Sequence, residues 1–418
     1  MKKLSILFGL FFLVSLGYSQ LQWQPQNSGT NSYLTDVHFT DQFNGWVSGV
    51  QGLILHTTDG GANWYEQDPP PNNVYYTVCF SDNQHGWAAG FGGKIIGTSD
   101  GGTNWTQQSS GTTTDLFDAC FVDQNQGWIV GGDNGTFPNY DPYRVILHTS
   151  NGGSNWSKQV DQNDEYLLRA VHFSDQTNGW AVGESGTILH TSDGGGNWNQ
   201  QMADNSYHFY GVHSVNSMKG WVVGTYLGLP HVAVIFNTID GGVTWESQDF
   251  GTDESFSDIF FTDENHGWVV GGTSGQANIT YTTDGGINWI TDYPTVNTGL
   301  TAVHFIDNST GWSVGNLGTI ITTSTTTDVD DQVNNSDIEI YPNPASNYLT
   351  IELPGQTQSS TSIKIYTSIG KLVFSASIPA NSTNGSRNIN TSNFSEGLYT
   401  LAIQDENGRN TEKLIIQR

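Results

Sequence analysis

The chain has 418 residues with Gly at 50 positions, Pro at only 12, Met at 3 and aromatics at 12%, a composition of short strands and many turns that excludes a helical architecture. Its formal charge of −27, from 40 acidic against 13 basic residues, repels phosphate backbones and anionic headgroups, so nucleic-acid and membrane-surface partners are excluded as well. The basic residues between positions 20 and 325 are Lys94, Arg144, Lys158, Arg169 and Lys219.

In chain order, residues 1–19 combine Lys2 and Lys3, an apolar run from Leu4 to Leu16, and small residues before Gln20. That is the pattern of a secretory signal peptide, removed on export. No later apolar run reaches the ~18 residues that a bilayer span needs. The sequence therefore predicts a mature chain that is exported and has no membrane span.

From residue 44 onward two motifs alternate. The first, GWxxG, has its tryptophan at Trp46, Trp87, Trp128, Trp180, Trp221, Trp268 and Trp312, spaced 41 to 52 residues apart. The second follows it as TTDGGANW (57–64), TSDGGTNW (98–105), TSNGGSNW (149–156), TSDGGGNW (191–198), TIDGGVTW (238–245) and TTDGGINW (282–289). Repeats of ~40 to 50 residues with about four short strands each are the signature of β-propeller blades, which need neighbours to bury both faces. Within a blade, strand A is the VHF-type segment, B is GWxxG, C precedes the Asp turn, and D follows its Trp. The seventh repeat has no DGG hairpin, but QWQPQNSGT (22–30) matches NWTQQSSGT (104–112). The N-terminal strand is therefore expected to complete the last blade and remove its free edge. The predicted fold is all-β: a seven-bladed propeller over residues 20–325 closed by the N-terminal strand, plus a small C-terminal β-sandwich.

These motifs resemble the Asp-box (BNR) repeats, and more closely those of the photosystem II stability and assembly factor family of seven-bladed propellers. The resemblance implies the fold. It does not carry over that family's arginine-rich recognition surface, because this repeat region has two arginines, Arg144 and Arg169. For the same reason the three-arginine clamp of Asp-box sialidases cannot be built here.

Residues 326–337 are polar, acidic and without periodicity, which reads as a linker. Short alternating runs then fill 338–418 and predict the β-sandwich. Tyr341-Pro342-Asn343-Pro344, Gly370-Lys371-Leu372-Val373, Ser395-Glu396-Gly397-Leu398-Tyr399 and the terminal Lys413 to Arg418 are similar to the type A sorting domain of the Bacteroidetes type IX secretion system. That resemblance implies export across the outer membrane, to the cell surface or the medium, with the secretion machinery as partner of the tail.

The hairpin residues Asp59, Asp100, Asn151, Asp193, Asp240 and Asp284 are assigned a structural turn role, since the same Asp on five separate turns, with Asn151 on the sixth, cannot act as one catalytic pair. The strand A histidines His38, His172, His213 and His304 share their position with Cys79, Cys120 and Phe260, which argues for semi-buried filling and against a metal site. A disulfide between Cys79 and Cys120 is left open. Two residues before the Val of VHF the ring reads Thr35, Tyr76, Phe117, Arg169, Tyr210, Ser257 and Thr301. Tyr76, Phe117, Arg169 and Tyr210 are therefore candidate binding residues at the channel mouth, with Tyr140, Tyr143 and Arg144 from the long B to C loop of the third repeat beside them. Aromatic faces stack on sugar rings or peptide side chains, and an arginine offers a planar fork. The reading is a secreted, non-catalytic scaffold for a glycan or protein, with no cofactor. The alternative, a glycoside hydrolase or lyase, would need two acids ~5 to 10 Å apart in a loop-face pocket.

Overall fold

The computed structural model describes residues 21–71, 73–133, 142–163, 165–202, 204–229, 231–248, 255–273, 275–324, 339–342, 344–352, 361–367, 372–378, 386–405 and 408–417. Residues 1–19, read above as a signal peptide, residues 326–337, read as a linker, and Tyr140 lie outside them. The chain divides into two units, one of them Gln20–Ser324.

Each GWxxG segment is the second strand of a four-stranded antiparallel sheet, and residues 22–324 hold seven such sheets, an arrangement consistent with a propeller. Their A strands are Leu34–Phe39, Tyr75–Phe80, Asp115–Phe121, Leu168–Phe173, Tyr207–Ser214, Phe256–Phe261 and Leu300–Phe305. Each A strand packs on the next, and the last packs on the first. The N-terminal strand Gln22–Gln26 pairs antiparallel with Ile320–Ser324, with Trp23 opposite Thr323.

The motif residues explain how the sheets join. The GWxxG indole of one sheet stacks on the Phe that ends the A strand of the next: Trp46 on Phe80 at 3.6 Å, Trp87 on Phe121 at 3.5 Å, and Trp312 of the seventh sheet on Phe39 of the first at 3.5 Å. In every sheet but the fifth, the glycine before the Trp is required by the Phe that ends its own A strand. A Cβ on Gly45 would stand 2.3 Å from the Phe39 ring. Sheet five departs, with Ser214 in place of the Phe, and the Trp180 indole N–H donates instead to Gln201 Oε1 at 3.1 Å.

A second joint was not anticipated from the sequence. Gln26 Nε2 donates to the Gly60 carbonyl at 2.9 Å while its Oε1 accepts from Trp64 Nε1 at 3.2 Å, so the side chain bridges the seventh sheet to the first. Gln67, Gln108, Gln159 and Gln201 make the same pair of bonds to the next hairpin. The signal was present as W-x-x-Q, repeated from Trp23 and Gln26 onward.

The other unit has two sheets, one of Glu339–Tyr341, Tyr348–Glu352 and Ser386–Asn390, the other of Leu372–Ile378, Thr361–Thr367, Gly397–Asp405 and Gly408–Ile416. Leu349, Ile351, Ile363, Ile365, Ile389, Leu401 and Leu414 from both sheets share one apolar core.

Candidate functional site

Every A strand carries a β-bulge, and the extra residue is always the one the sequence placed at the mouth. The register shifts between Leu34 and Asp36, Tyr75 and Thr77, Leu116 and Asp118, Leu168 and Ala170, Phe209 and Gly211, Phe256 and Asp258, and Leu300 and Ala302. A bulge leaves one residue outside the ladder and re-aims its side chain. Where that residue is Thr, it bonds the neighbouring strand: Thr35 Oγ1 donates to the Tyr75 carbonyl at 2.8 Å, and Thr301 Oγ1 to the Leu34 carbonyl at 2.9 Å. Where it is aromatic or Arg, the side chains form a continuous row. Tyr76 stacks on Phe117 with centroids 5.4 Å apart, and the Arg169 guanidinium lies 4.7 Å from the centre of the same Phe117 ring. Arg169 Nη2 donates to Glu184 Oε1 at 2.7 Å, and Tyr210 lies within electrostatic reach of both Arg169 and Glu184. Glu184, 7% exposed, was not anticipated. It makes the arginine a held element of the row, its charge paired with a buried carboxylate.

Tyr143 and Arg144 are placed differently. Both lie on strand C of sheet three and turn to its outer strand: Tyr143 Oη donates to Asp161 at 2.6 Å, and Arg144 Nε and Nη2 donate to Gln162 Oε1 at 2.8 and 2.6 Å, with Glu165 3.4 Å from Nη1. Their hydrogen bonds run to the outer strand of sheet three, while Arg144 Nη1 is buried without a hydrogen-bond partner.

In the hairpins, Asp59 Oδ1 accepts from Thr57 Oγ1 at 2.8 Å and from the Asn63 backbone N–H at 2.9 Å, and Oδ2 accepts from Asn63 Nδ2 at 2.8 Å. Gly60 and Gly61 make the turn at φ of 73° and 91°. The same bonds recur at Asp100, Asp193, Asp240 and Asp284, and in part at Asn151. The Asn63 side chain and N–H hold the Asp59 carboxyl below its usual value. These groups are occupied by their own turn.

Beside the bulge row, three carboxylates join A strands that have no ladder between them. Asp36 accepts from the Val37 and Val78 N–H groups, Asp118 from Ala119 and Val171, and Asp258 from Ile259 and Val303, all at 2.8 to 2.9 Å. Burial pushes Asp36 up to about 6 and Asp258 up to about 7. One residue pair further along, His38 and His304 have ring centroids 4.6 Å apart, and His172 and His213 4.0 Å. Burial lowers His38 and His172 to about 4 and pushes His213 and His304 well below their usual value. Cys79 and Cys120 are free thiols. Among the described residues no group of three or more His, Cys, Asp or Glu is placed to hold a metal ion.

The two sets of titrating groups have opposite signs. Histidines held neutral in the fold cost stability as pH falls from their ordinary 6.5 towards 4, because the unfolded chain binds protons that the native chain refuses. The carboxylates take stability away as pH rises through about 6 and 7. Four histidines outweigh the three raised carboxylates, Asp36, Asp118 and Asp258, on the acid side, so the melting temperature should fall between pH 6.5 and 5. His38→Phe, which copies Phe260 at the equivalent position, should reduce that slope by about 1 kcal/mol per pH unit. An unchanged slope in this variant would contradict the assignment.

A family model described as photosynthesis system II assembly factor YCF48 matches residues 17–73, 64–164, 157–248 and 241–337. The chain belongs to this family. A second model, the secretion system C-terminal sorting domain, matches residues 339–417. A solved structure of YCF48 bound to a D1 peptide is similar over 74% of this chain and 98% of its own, at 20% identity and a TM-score of 0.60. YCF48 from Cyanidioschyzon merolae is similar over 72% and 98%, at 20% identity and a TM-score of 0.58. A GH74 enzyme from Niastella koreensis is similar over 94% of this chain and 67% of its own, at 11% identity and a TM-score of 0.55. At these identities the likeness concerns the fold. No curated protein matches the chain. Within the YCF48 family this member presents an aromatic row with one neutralised arginine.

Proposed function

We propose that residues 20–325 form a seven-bladed propeller closed by the N-terminal strand, exported with a signal peptide (1–19) and, beyond a linker (326–337), a sorting domain (338–418). At the cell surface or in the medium the propeller acts as a non-catalytic scaffold that binds a glycan or a protein segment on the bulge row of sheets two to five. The observation that carries this reading is the contrast within the repeats. Sheets one, six and seven build the same bulge with Thr35, Ser257 and Thr301, so the bulge itself does not require Tyr76, Phe117, Arg169 or Tyr210. Large aromatic faces at a position where small residues suffice support a recognition role. The YCF48 structure that carries a D1 peptide supports peptide recognition as one use of this fold.

The hydrolase reading finds less support. Asp36, Asp118 and Asp258 have raised carboxyls, but each accepts backbone N–H groups on both oxygens, whereas a glycosidase acid must reach the leaving oxygen. Glu184 is tied to Arg169.

The test is a glycan and peptide array probed with the mature chain, followed by Tyr76→Thr and Tyr210→Thr, which copy residues the repeat already uses. Each should weaken the selected ligand about tenfold or more and leave the melting temperature close to wild type. Arg169→Ala is a poorer probe, because it also removes the ion pair to the buried Glu184. Asp193→Ala should lower the melting temperature and spare affinity. Unchanged affinity in both tyrosine variants would place the site elsewhere.

A further inference from the structure

The hairpins of sheets five and six present aliphatic side chains to solvent where the other hairpins present polar or small ones. Ile239 is 66% exposed, Val243 83% and Ile287 81%. Position for position, Ile239 corresponds to Thr58, Ser99, Ser150, Ser192 and Thr283, while Val243 and Ile287 correspond to Ala62, Thr103, Ser154 and Gly196. The turn does not require them, because Asp240 and Asp284 accept the same Thr hydroxyl and backbone N–H bonds that hold the other hairpins. Single exposed aliphatics are ordinary, but these are neighbours. Ile239 and Ile287 line one depression of ≈ 670 Å³ between the two hairpins. Half-exposed Met218 adjoins the first hairpin, its carbonyl accepting from the Gly241 N–H at 2.9 Å, and half-exposed Ile290 begins the outer strand beyond the second. Apolar side chains gathered in this way on a soluble surface mark an interaction site.

The charges around these side chains select the partner. Residues 220–324 contain no Lys or Arg, while Asp240 and Asp284 stand in the two hairpins and Glu246 and Asp292 on the strands that follow them. Lys219, the cation that lines the depression, is held by Glu264 at 3.0 Å. Glu246 and Asp284 line it too, and among the described residues neither has a cation partner. A second copy of a chain with a charge of −27 would bring like charge against like, and an anionic membrane surface is repelled for the same reason. A cationic partner is attracted.

We propose that this surface docks a protein segment whose aliphatic side chains are flanked by Lys or Arg. The aliphatic groups cover Ile239, Val243 and Ile287 and supply the affinity, and the cations face Glu246, Asp240 and Asp284 and set the choice of partner. The hairpins lie at the end of the sheets opposite the bulges, so this surface is independent of the bulge row.

The test is fluorescence anisotropy on the mature full chain with labelled peptides of about a dozen residues. The probe is built of Val, Ile, Lys and Ser, one control has Glu for every Lys, and the other has Ser for every Val and Ile. The probe should bind saturably and about tenfold or more tighter than either control, and raising the salt from about 50 to about 300 mM should weaken it several-fold. The double variant Val243→Thr, Ile287→Ala copies Thr103 and Ala62, so its melting temperature should stay close to wild type while its affinity for the probe falls about tenfold or more. Glu246→Gln should weaken the probe less and flatten its salt dependence. A probe bound no tighter than its Ser control, or bound equally well by the double variant, would overturn the proposal. So would phosphatidylcholine vesicles that bind the wild-type chain and not the double variant, because the surface would then belong to lipid.

Discussion

Deleting residues 20–30 should unfold the repeat region as a whole, seen as loss of the native urea transition in both tryptophan fluorescence and far-UV circular dichroism. Termini are ordinarily dispensable, so the expectation rests on what this one does. All five residues of Gln22–Gln26 pair with Ile320–Ser324, and without them that strand presents an open edge. Trp23, 8% exposed, packs edge-on against Phe305 at 5.8 Å. Gln26 reaches the hairpin of the first sheet, and Ser28 Oγ donates to the Gly318 carbonyl at 2.6 Å. The deletion thus opens the joint between the first and last sheets, which holds the two ends of a quasi-linear array. Trp23→Ala isolates the packing part and should cost about 3–5 kcal/mol, a large share of the ~5–15 kcal/mol that a folded domain has in reserve. A deletion variant that keeps the wild-type urea midpoint would refute the proposed closure.

What the sequence made legible was whatever recurs. The Trp of GWxxG, the Asp hairpin and the match of residues 22–30 to 104–112 each repeat with enough flanking pattern to be aligned, and alignment alone placed Tyr76, Phe117, Arg169 and Tyr210 at equivalent positions. The reason they gather, a bulge in every A strand, left no mark, because a register shift depends on two strands and appears in neither alone. Glu184 was invisible for a related reason: it lies 15 residues from Arg169 in a loop whose other copies carry Val50, Phe91 and Asn316. Asp36, Asp118 and Asp258 leave no signal in the sequence, because an acidic residue in a strand reads as solvent-facing and only the neighbouring A strand supplies the second N–H. Tyr143 and Arg144 read as mouth residues in the sequence because they adjoin the insertion. Strand C begins at Tyr143, so both side chains obey the pairing of sheet three.

The tail makes the sharpest prediction about the cell. Residues 339–417 match the secretion system C-terminal sorting domain, and their buried side chains, Leu349, Ile363, Leu401 and Leu414 among them, form a core of their own. A unit with its own core can be read by secretion machinery whatever protein precedes it. Truncating the chain before Ile338 should therefore leave a propeller that is exported from the cytoplasm, folded and retained in the periplasm, with the extracellular fraction reduced to background. Periplasmic material with the wild-type urea midpoint would show that the loss is one of address and not of folding. Conversely, residues 325–418 fused behind a reporter that has its own signal peptide should carry that reporter out of the cell. Interrupting the shared core with Leu401→Asp should abolish the transfer, because burying an unpaired carboxylate there collapses the unit that is recognised. Truncated protein reaching the medium at the wild-type level, in cells that do not leak a periplasmic marker, would rule out the tail as the export signal.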